Sequence, residues 1–289
     1  PLGSTLFGSL IPMTVRIVTD SSCDLTVAET NERGIGVVPL SIRFGSEEYV
    51  DREQLSVEDF YAKMASSGLL PETAAPSPGR FEQEFRAAAA DGAGSVVCIN
   101  LSGGLSATVQ SARNAARALE GEHGVRVIAS LSLTGGVGTM FLDAAAAAAD
   151  GADADAIEKL VRDLVPRTQV YGALDTLENL KKGGRIGSAK ALLGSVLSVK
   201  PLIHIADGAV EEAGKQRTRK RALEWLRDTL FAEATVEQLS VLHGEASDID
   251  LFLDMIAPRY PREAVRIGKI GAVIGTHGGP GVIGMCYLT

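Results

Sequence analysis

Asn100, Ser102, Gly103, Gly104 and Ser106 form a run of small residues inside SVVCINLSGGLSATVQSARNAARAL. The apolar stretch before them, Val96 to Ile99, reads as a buried strand. Behind them Ala112, Ala115, Ala116 and Leu119 recur at helical spacing. A strand that ends in such a loop and feeds a helix gathers unpaired amides at one point, beside the partial positive charge of the helix N-terminus. The chemistry this favours is capture of the head group of a small acidic ligand. Asp20-Ser21-Ser22, Thr73, Ser77, Ser132 and Thr134 lie in other loops of the same character, rich in hydroxyls and poor in acid–base groups. Such a set suits hydrogen bonding to a carboxylate or phosphate better than proton transfer, although each member singly also reads as a turn residue or helix cap.

Other chemistries are less well served. A dinucleotide fingerprint needs G-x-G-x-x-G, and Gly136-Val-Gly138 is followed by Phe141 where close backbone approach needs a third glycine. No G-x-x-x-x-G-K-[ST] occurs. Gly104-Leu-Ser106-Ala-Thr108 is half of a nucleophile elbow, and the four histidines, His123, His204, His243 and His277, include no member marked out as a triad base. A hydrolase or transferase acting on an acyl or phosphorylated substrate through Ser106 and His277 is therefore the second reading. Cys23, Cys98 and Cys286 are far apart and lack C-x-x-C spacing, which argues against a disulfide framework or a zinc site and fits a reducing cytoplasm. No metal and no resident cofactor is expected.

The 289 residues can fill one or two α/β domains, and 45% apolar with 22% charged residues is ordinary for a globular chain. A net charge of −8 speaks against nucleic acid as a partner. No apolar run approaches the roughly 20 residues of a membrane span. PLGS at the start resembles the remnant of a cleaved tag, so 1–13 is expected to be tag and leader, with Met13 the natural start.

Strands are expected at 14–20, 37–40, 125–129 and 169–174, a hairpin at 41–50 about Gly45-Ser46, and helices at 26–33, 57–66, 78–91, 138–149 and 154–164. Residues 68–79 are expected to be loop. Three successive strand–loop–helix units predict a parallel sheet with helices on both faces, whose ligands bind beyond the carboxyl ends of the strands. Past 165 the pattern mixes helices at 176–182, 188–196, 218–231 and 249–256 with strands at 200–205, 238–243, 264–267, 272–276 and 282–288. The expected fold is α/β in two domains, an N-terminal α/β/α parallel-sheet domain over 14–165 and a C-terminal α+β domain with a mixed sheet over 166–289.

Taken in order, Thr19-Asp-Ser-Ser-Cys-Asp-Leu25, Thr73-Ala-Ala-Pro-Ser77, Leu105-Ser-Ala-Thr-Val-Gln-Ser-Ala112, Gly184-Arg-Ile186, Lys200-Pro201 with Asp207-Gly208, and Gly275-Thr-His-Gly-Gly-Pro-Gly281 resemble the DegV family. That family includes the fatty-acid-binding subunits (FakB) of bacterial fatty acid kinase, and the resemblance covers nearly all the chain after Met13. It implies a long-chain fatty acid such as palmitate or oleate enclosed between two domains, its carboxylate held by Thr73 and Ser106 with His277 close by. Ser102 and Ser21 join the candidate ligand-binding set. The resemblance also implies that Arg185 lies on the surface meeting a kinase catalytic subunit, which makes acyl phosphate for phospholipid synthesis, and that the chain itself has no catalytic residues. Ala74-Ala75, Ala107 and Ser130-Leu131 depart from the family pattern, which leaves open the acyl chain length and saturation and the identity of the kinase.

A fatty acid also suits the residues. Each buried methylene is worth roughly 0.8 kcal/mol, so a sixteen-carbon tail contributes on the order of 10 kcal/mol before ordering costs. Such a ligand asks for an apolar slot, which the alanines of 112–118 and 144–149 are candidates to line, and for neutral donors at one end. Lys215 to Arg221, KQRTRKR, sets Arg217 and Arg219 in a basic run on an acidic chain. It reads either as a solvated helix start or as a docking face for an acidic partner. Peripheral membrane contact would accompany lipid exchange.

Overall fold

The computed structural model describes residues 14–193 and 199–289. The leader expected over 1–13 and the end of the helix expected over 188–196 lie outside the described residues.

The first half follows the expected strand–helix rhythm. β1 (Thr14–Asp20) leads to α1 (Val27–Glu32), whose Thr26 and Glu29 form a reciprocal capping box. β2 (Gly36–Val38), the hairpin β3 (Ser41–Phe44) and β4 (Glu47–Val50), and α2 (Val57–Ser67) follow. The Ser56 hydroxyl caps α2 by accepting from the Asp59 amide, and Gly68 ends the helix in the left-handed region. Within the stretch expected to be loop, β5 (Glu72–Ala74) is a short edge strand paired antiparallel to β3. Flanking prolines mask it in the sequence, and its pairing comes from tertiary contact. Then come α3 (Pro78–Ala90), β6 (Ala93–Asn100), α4 (Thr108–Ala118), β7 (Gly124–Ala129), α5 (Thr134–Ala149) and α6 (Ala154–Leu164).

β2, β1, β6 and β7 lie side by side in that order, all parallel. Ile17, Val97 and Ile99 pack on one face against α5 and α6; Val18, Val96 and Cys98 pack on the other against Phe81 and Phe85 of α3 and Ala112 and Ala115 of α4. The alanine runs thus fill the two helix–sheet layers: Ala112 and Ala115 on one side, Ala144 and Ala145 on the other. None of them is among the described residues lining the cavity between the mixed sheet of the second half and the first-half loops, a correction that follows from how closely helices seat on a parallel sheet. α5 also begins four residues before the expected Gly138. Its first glycines allow close packing: a Cβ on Gly135 would stand 2.6 Å from Leu242 Cδ1, and one on Gly136 2.4 Å from Ser132 Oγ.

The second half comprises β8 (Thr168–Ala173), α7 (Glu178–Lys182), a 3₁₀ segment at Gly187–Leu192, β9 (Lys200–Ala206), β10 (Ala209–Gln216), α8 (Arg219–Ala232), β11 (Glu237–His243), α9 (Ile249–Ile256), β12 (Arg266–Lys269), α10 (Ala272–Gly278) and β13 (Ile283–Leu288). Its strands form one mixed sheet in the order β10-β9-β8-β13-β11-β12, so the α/β class with a parallel and a separate mixed sheet is as expected. One face of this sheet is covered by α8 and α9 through Leu223, Leu226, Phe252 and Ile256. The opposite face, with Val170, Leu174, Ile205 and Val282, looks toward Leu105 and Leu133 of the first half.

Two elements correct the sequence. The helix expected from 188 is a 3₁₀ segment where described. Residues 272–276, expected to be a strand, are helix α10. A short apolar run such as AVIGT cannot be assigned by periodicity; here the Gly271 amide is claimed by the Asp24 carboxylate and Ala272 and Val273 pack with Phe60 and Tyr61 of α2. No helix among the described residues is long and apolar enough to cross a membrane.

Candidate ligand-binding site

Between the inner face of the mixed sheet and the loops of the first half lies a cavity with about 810 Å³ of unfilled space, part of it open to solvent. Its side-chain polar groups are few, chiefly Thr73, Ser106, Arg185 and His277; aliphatic side chains such as Leu101, Leu174, Ile203 and Val282 form most of the remaining wall.

The register of β5 on β3, with Thr73 opposite Ile42, brings the Thr73 hydroxyl to the wall. Its Oγ1 lies 3.0 Å from Nε2 of His277, which sits in the last turn of α10 and not, as expected, in a loop between strands. Burial, reinforced by the nearby Arg185 charge, lowers the His277 pKa to about 4, so the ring is neutral at pH 7. Nδ1 is buried without a partner among the described residues, and a Cβ on Gly183 would fall 2.3 Å from it, so glycine at 183 gives the ring its place. With the proton on Nε2, His277 donates to Thr73, and the Thr73 O–H is left to donate into the cavity.

Ser106 ends the loop between β6 and α4. Its hydroxyl lies 2.8 Å from Thr108 Oγ1 and accepts from the Thr108 amide at 3.3 Å. Arg185 reaches the same wall: Nε donates to the Leu105 carbonyl at 3.1 Å and Nη1 to the Gly183 carbonyl at 2.7 Å. It is half-buried and lines the cavity, so it is more than a residue of an outer surface. No hydrogen bond joins Ser106 to His277 among the described residues. Each is engaged elsewhere, and the nucleophile–base pair required by a hydrolase is not formed.

The other sequence candidates lie apart from the wall. Ser102 is buried; its hydroxyl donates to the Gly208 carbonyl at 2.6 Å and accepts from the Gly104 amide at 3.1 Å, tying the loop to the β9–β10 turn. Ser21 is buried behind the wall and accepts from the amide of Leu40, which does line the cavity. Arg219 is held by both oxygens of Asp248, at 2.8 and 3.0 Å, and by the Gly281 carbonyl at 2.6 Å, whereas Arg217 is exposed. The two arginines expected to act together on a docking face thus have different surroundings.

A second buried polar cluster adjoins the site. Asp20 accepts from Ser22, from Asn100 Nδ2 at 3.1 Å and from the Leu101 amide at 3.0 Å. Asp24 accepts from Thr134 Oγ1 at 2.6 Å and the Gly271 amide at 2.9 Å, with Arg52 Nη2 at 3.5 Å. Asp51 is buried 3.9 Å from Arg52 Nε. Burial raises the pKa of all three carboxyls, that of Asp24 to about 6. Thr134, which lines the cavity, has φ +49°, a strained value for a β-branched residue. The cavity role of Arg185 and the Asp24–Thr134 contact escaped the sequence reading; the only trace was Asp24 in the TDSSCDL motif and Thr134 in a loop of hydroxyls.

Comparison with known proteins places this architecture. The family model described as "uncharacterised protein, DegV family" matches residues 14–289. DegV domain-containing proteins of Halalkalibacterium halodurans and Deinococcus radiodurans are each 34% identical, over 94% of this chain and 98% of theirs. A fatty-acid-binding DegV family protein of Thermus thermophilus superposes with a TM-score of 0.87 at 33% identity, over 96% of this chain and 100% of that one. DegV of Bacillus subtilis, a fatty acid binding protein, gives 0.85 at 28% identity, over 96% and 99%. The chain belongs to the DegV family.

Proposed function

We propose that this DegV-family chain is a non-catalytic carrier of one long-chain fatty acid, held between units comprising 14–165 and 166–289. The Thermus and Bacillus relatives bind fatty acids. The observation that carries the reading to this chain is the cavity itself, aliphatic but for a few side chains at which Thr73, Ser106 and His277 are candidates to hold a carboxylate. A neutral His277 donates a hydrogen bond to Thr73 and the hydroxyls turn to the anion, while Arg185 supplies a positive charge pinned at the wall. Hydrogen bonds to an ionised partner are worth about 1.5–3 kcal/mol, and the tail adds roughly 0.8 kcal/mol per methylene.

In this reading the carboxylate is presented in the cytoplasm to a partner fatty acid kinase, which converts it to acyl phosphate for phospholipid synthesis; Arg217 belongs to the docking face, and transient membrane contact accompanies exchange of the lipid. Mass spectrometry of an organic extract of the purified protein tests the first step. One fatty acid per chain is expected, with affinity lost in Ser106→Ala; a lipid-free protein that neither takes up palmitate nor oleate defeats the proposal. Acyl phosphate forming only when kinase and carrier are mixed with ATP tests the second.

A further inference from the structure

Two glycines face each other in the middle of the mixed sheet. Gly172 of β8 pairs with Gly284 of β13, and β8 and β13 are the central strands of the six. Both glycines line the cavity. Side chains alternate along a strand, so the neighbours on the same face are Val170 on β8 and Leu174 just after it, and Val282 just before β13 and Cys286 on it. Each of these carries a side chain; the glycine pair leaves a dip between them.

Nothing in the described chain requires glycine at either position. Neither residue has positive φ. A Cβ on Gly172 would meet Ile203 Cγ1 at 3.4 Å, and one on Gly284 would meet the Tyr171 carbonyl oxygen at 3.5 Å, both ordinary contacts. Gly135 and Gly136 are different, since added carbons there would fall within 2.6 Å of their neighbours. A glycine inside a strand weakens it, and marks a place where a bend, a ligand or another backbone comes close. The strand register runs through both positions without a bulge, and only the cavity lies over the pair.

We propose that the Gly172–Gly284 dip determines acyl-chain selectivity: it receives part of the tail and sets the longest chain that fits. This rests on the fatty acid reading and names the feature that discriminates among fatty acids. Valine at either site suits a strand and points its methyls into the cavity.

The test is displacement of a fluorescent fatty acid by laurate, myristate, palmitate and stearate from the wild type, Gly172→Val, Gly284→Val and the milder Gly172→Ala and Gly284→Ala. The valine variants are expected to keep laurate while losing the longer acids, by roughly fourfold for each methylene excluded. The alanine variants should shift the same way by less, and retained laurate binding reports intact folding. Palmitate and stearate binding unchanged relative to laurate in all four variants overturns the inference, as does an equal loss of all four acids. A wild type that binds none of the four defeats the fatty acid reading itself, which the variants alone cannot do.

Discussion

The two ends of α10 are both surrounded by buried polar groups, with opposite outcomes. At its start the Gly271 amide, the Thr134 hydroxyl and Arg52 converge on Asp24, and a Cβ on Gly271 would stand 2.7 Å from Asp24 Oδ1. At its finish His277 shares one contact with Thr73 and keeps Nδ1 unpartnered at the cavity. The first cluster spends its donors on its own carboxylate and joins the two halves of the chain. The second keeps an acceptor, Nδ1, without a partner among the described residues and leaves the Thr73 O–H to donate into the cavity. Leaving a buried polar group unmatched costs about 1–3 kcal/mol, so the satisfied end of α10 is its structural end, and in the proposed reading the other end receives the ligand.

Asp24→Ala breaks this contrast most severely. It strands the Gly271 amide and the Thr134 hydroxyl and leaves Arg52 with Asp51 and the Leu25 carbonyl, and loss of a buried charged partner typically costs 3–5 kcal/mol. A loss of about 3 kcal/mol in urea unfolding is expected, and with it weaker ligand binding as α10 shifts. If Asp24→Ala unfolds like the wild type, the start of α10 is not a structural clasp.

Thr73→Val sharpens the contrast from the other end. Valine keeps the shape and the strand but removes the hydroxyl, so fatty acid affinity should fall about 10- to 100-fold, and stability by about 1–3 kcal/mol because the His277 Nε2–H loses its partner. Calorimetric titration with palmitate and a thermal melt separate the two effects. Equal affinity in Thr73→Val would mean that the hydroxyl faces no carboxylate.

The same two ends should titrate with opposite sign. His277 has its folded pKa lowered to about 4 from 6.5, so the unfolded chain takes up the proton first and stability is lost as pH falls through that window. Asp24 has its folded pKa raised to about 6 from 3.8; the folded chain takes up the proton first, and this group's contribution falls as pH rises from about 4 to 6. Urea midpoints from pH 4 to 7 should therefore lose their acid-side decline in His277→Asn and show a steeper one in Asp24→Asn. Identical profiles in both variants would remove the distinction.

Much of this arrangement was legible in the sequence. The parallel sheet follows from its strand–loop–helix units, and Thr73, Ser106 and His277 were marked by motif and do reach one cavity. Three things were hidden, each for a physical reason. AVIGT reads as a strand because β-branched residues dominate it, and only the contacts of Gly271 and Val273 make it a helix. The alanines of α4 and α5 are small for packing, which composition cannot distinguish from small for a ligand. The acid cluster draws Asp20 and Asp24 from one stretch and Asp51 from another, and the meeting of Asp24 with Arg52 depends on the tertiary fold.

The smallest effect concerns the surface, where the same division recurs in two neighbouring arginines. Arg219 is already spent on Asp248 and the Gly281 carbonyl, so Arg219→Glu should destabilise the loop that follows α10 whether or not a partner is present. Arg217 is exposed, and Arg217→Glu should leave stability within about 0.5 kcal/mol of the wild type. Its effect should fall on association with the proposed kinase partner: a slower on-rate, and a weaker dependence of that rate on salt, because a rim charge steers encounter more than it holds a complex. Arg217 is thus the cleaner probe of docking, and a charge reversal there that changes neither the rate nor its salt dependence would remove the basic run from the partner surface while leaving the cavity untouched.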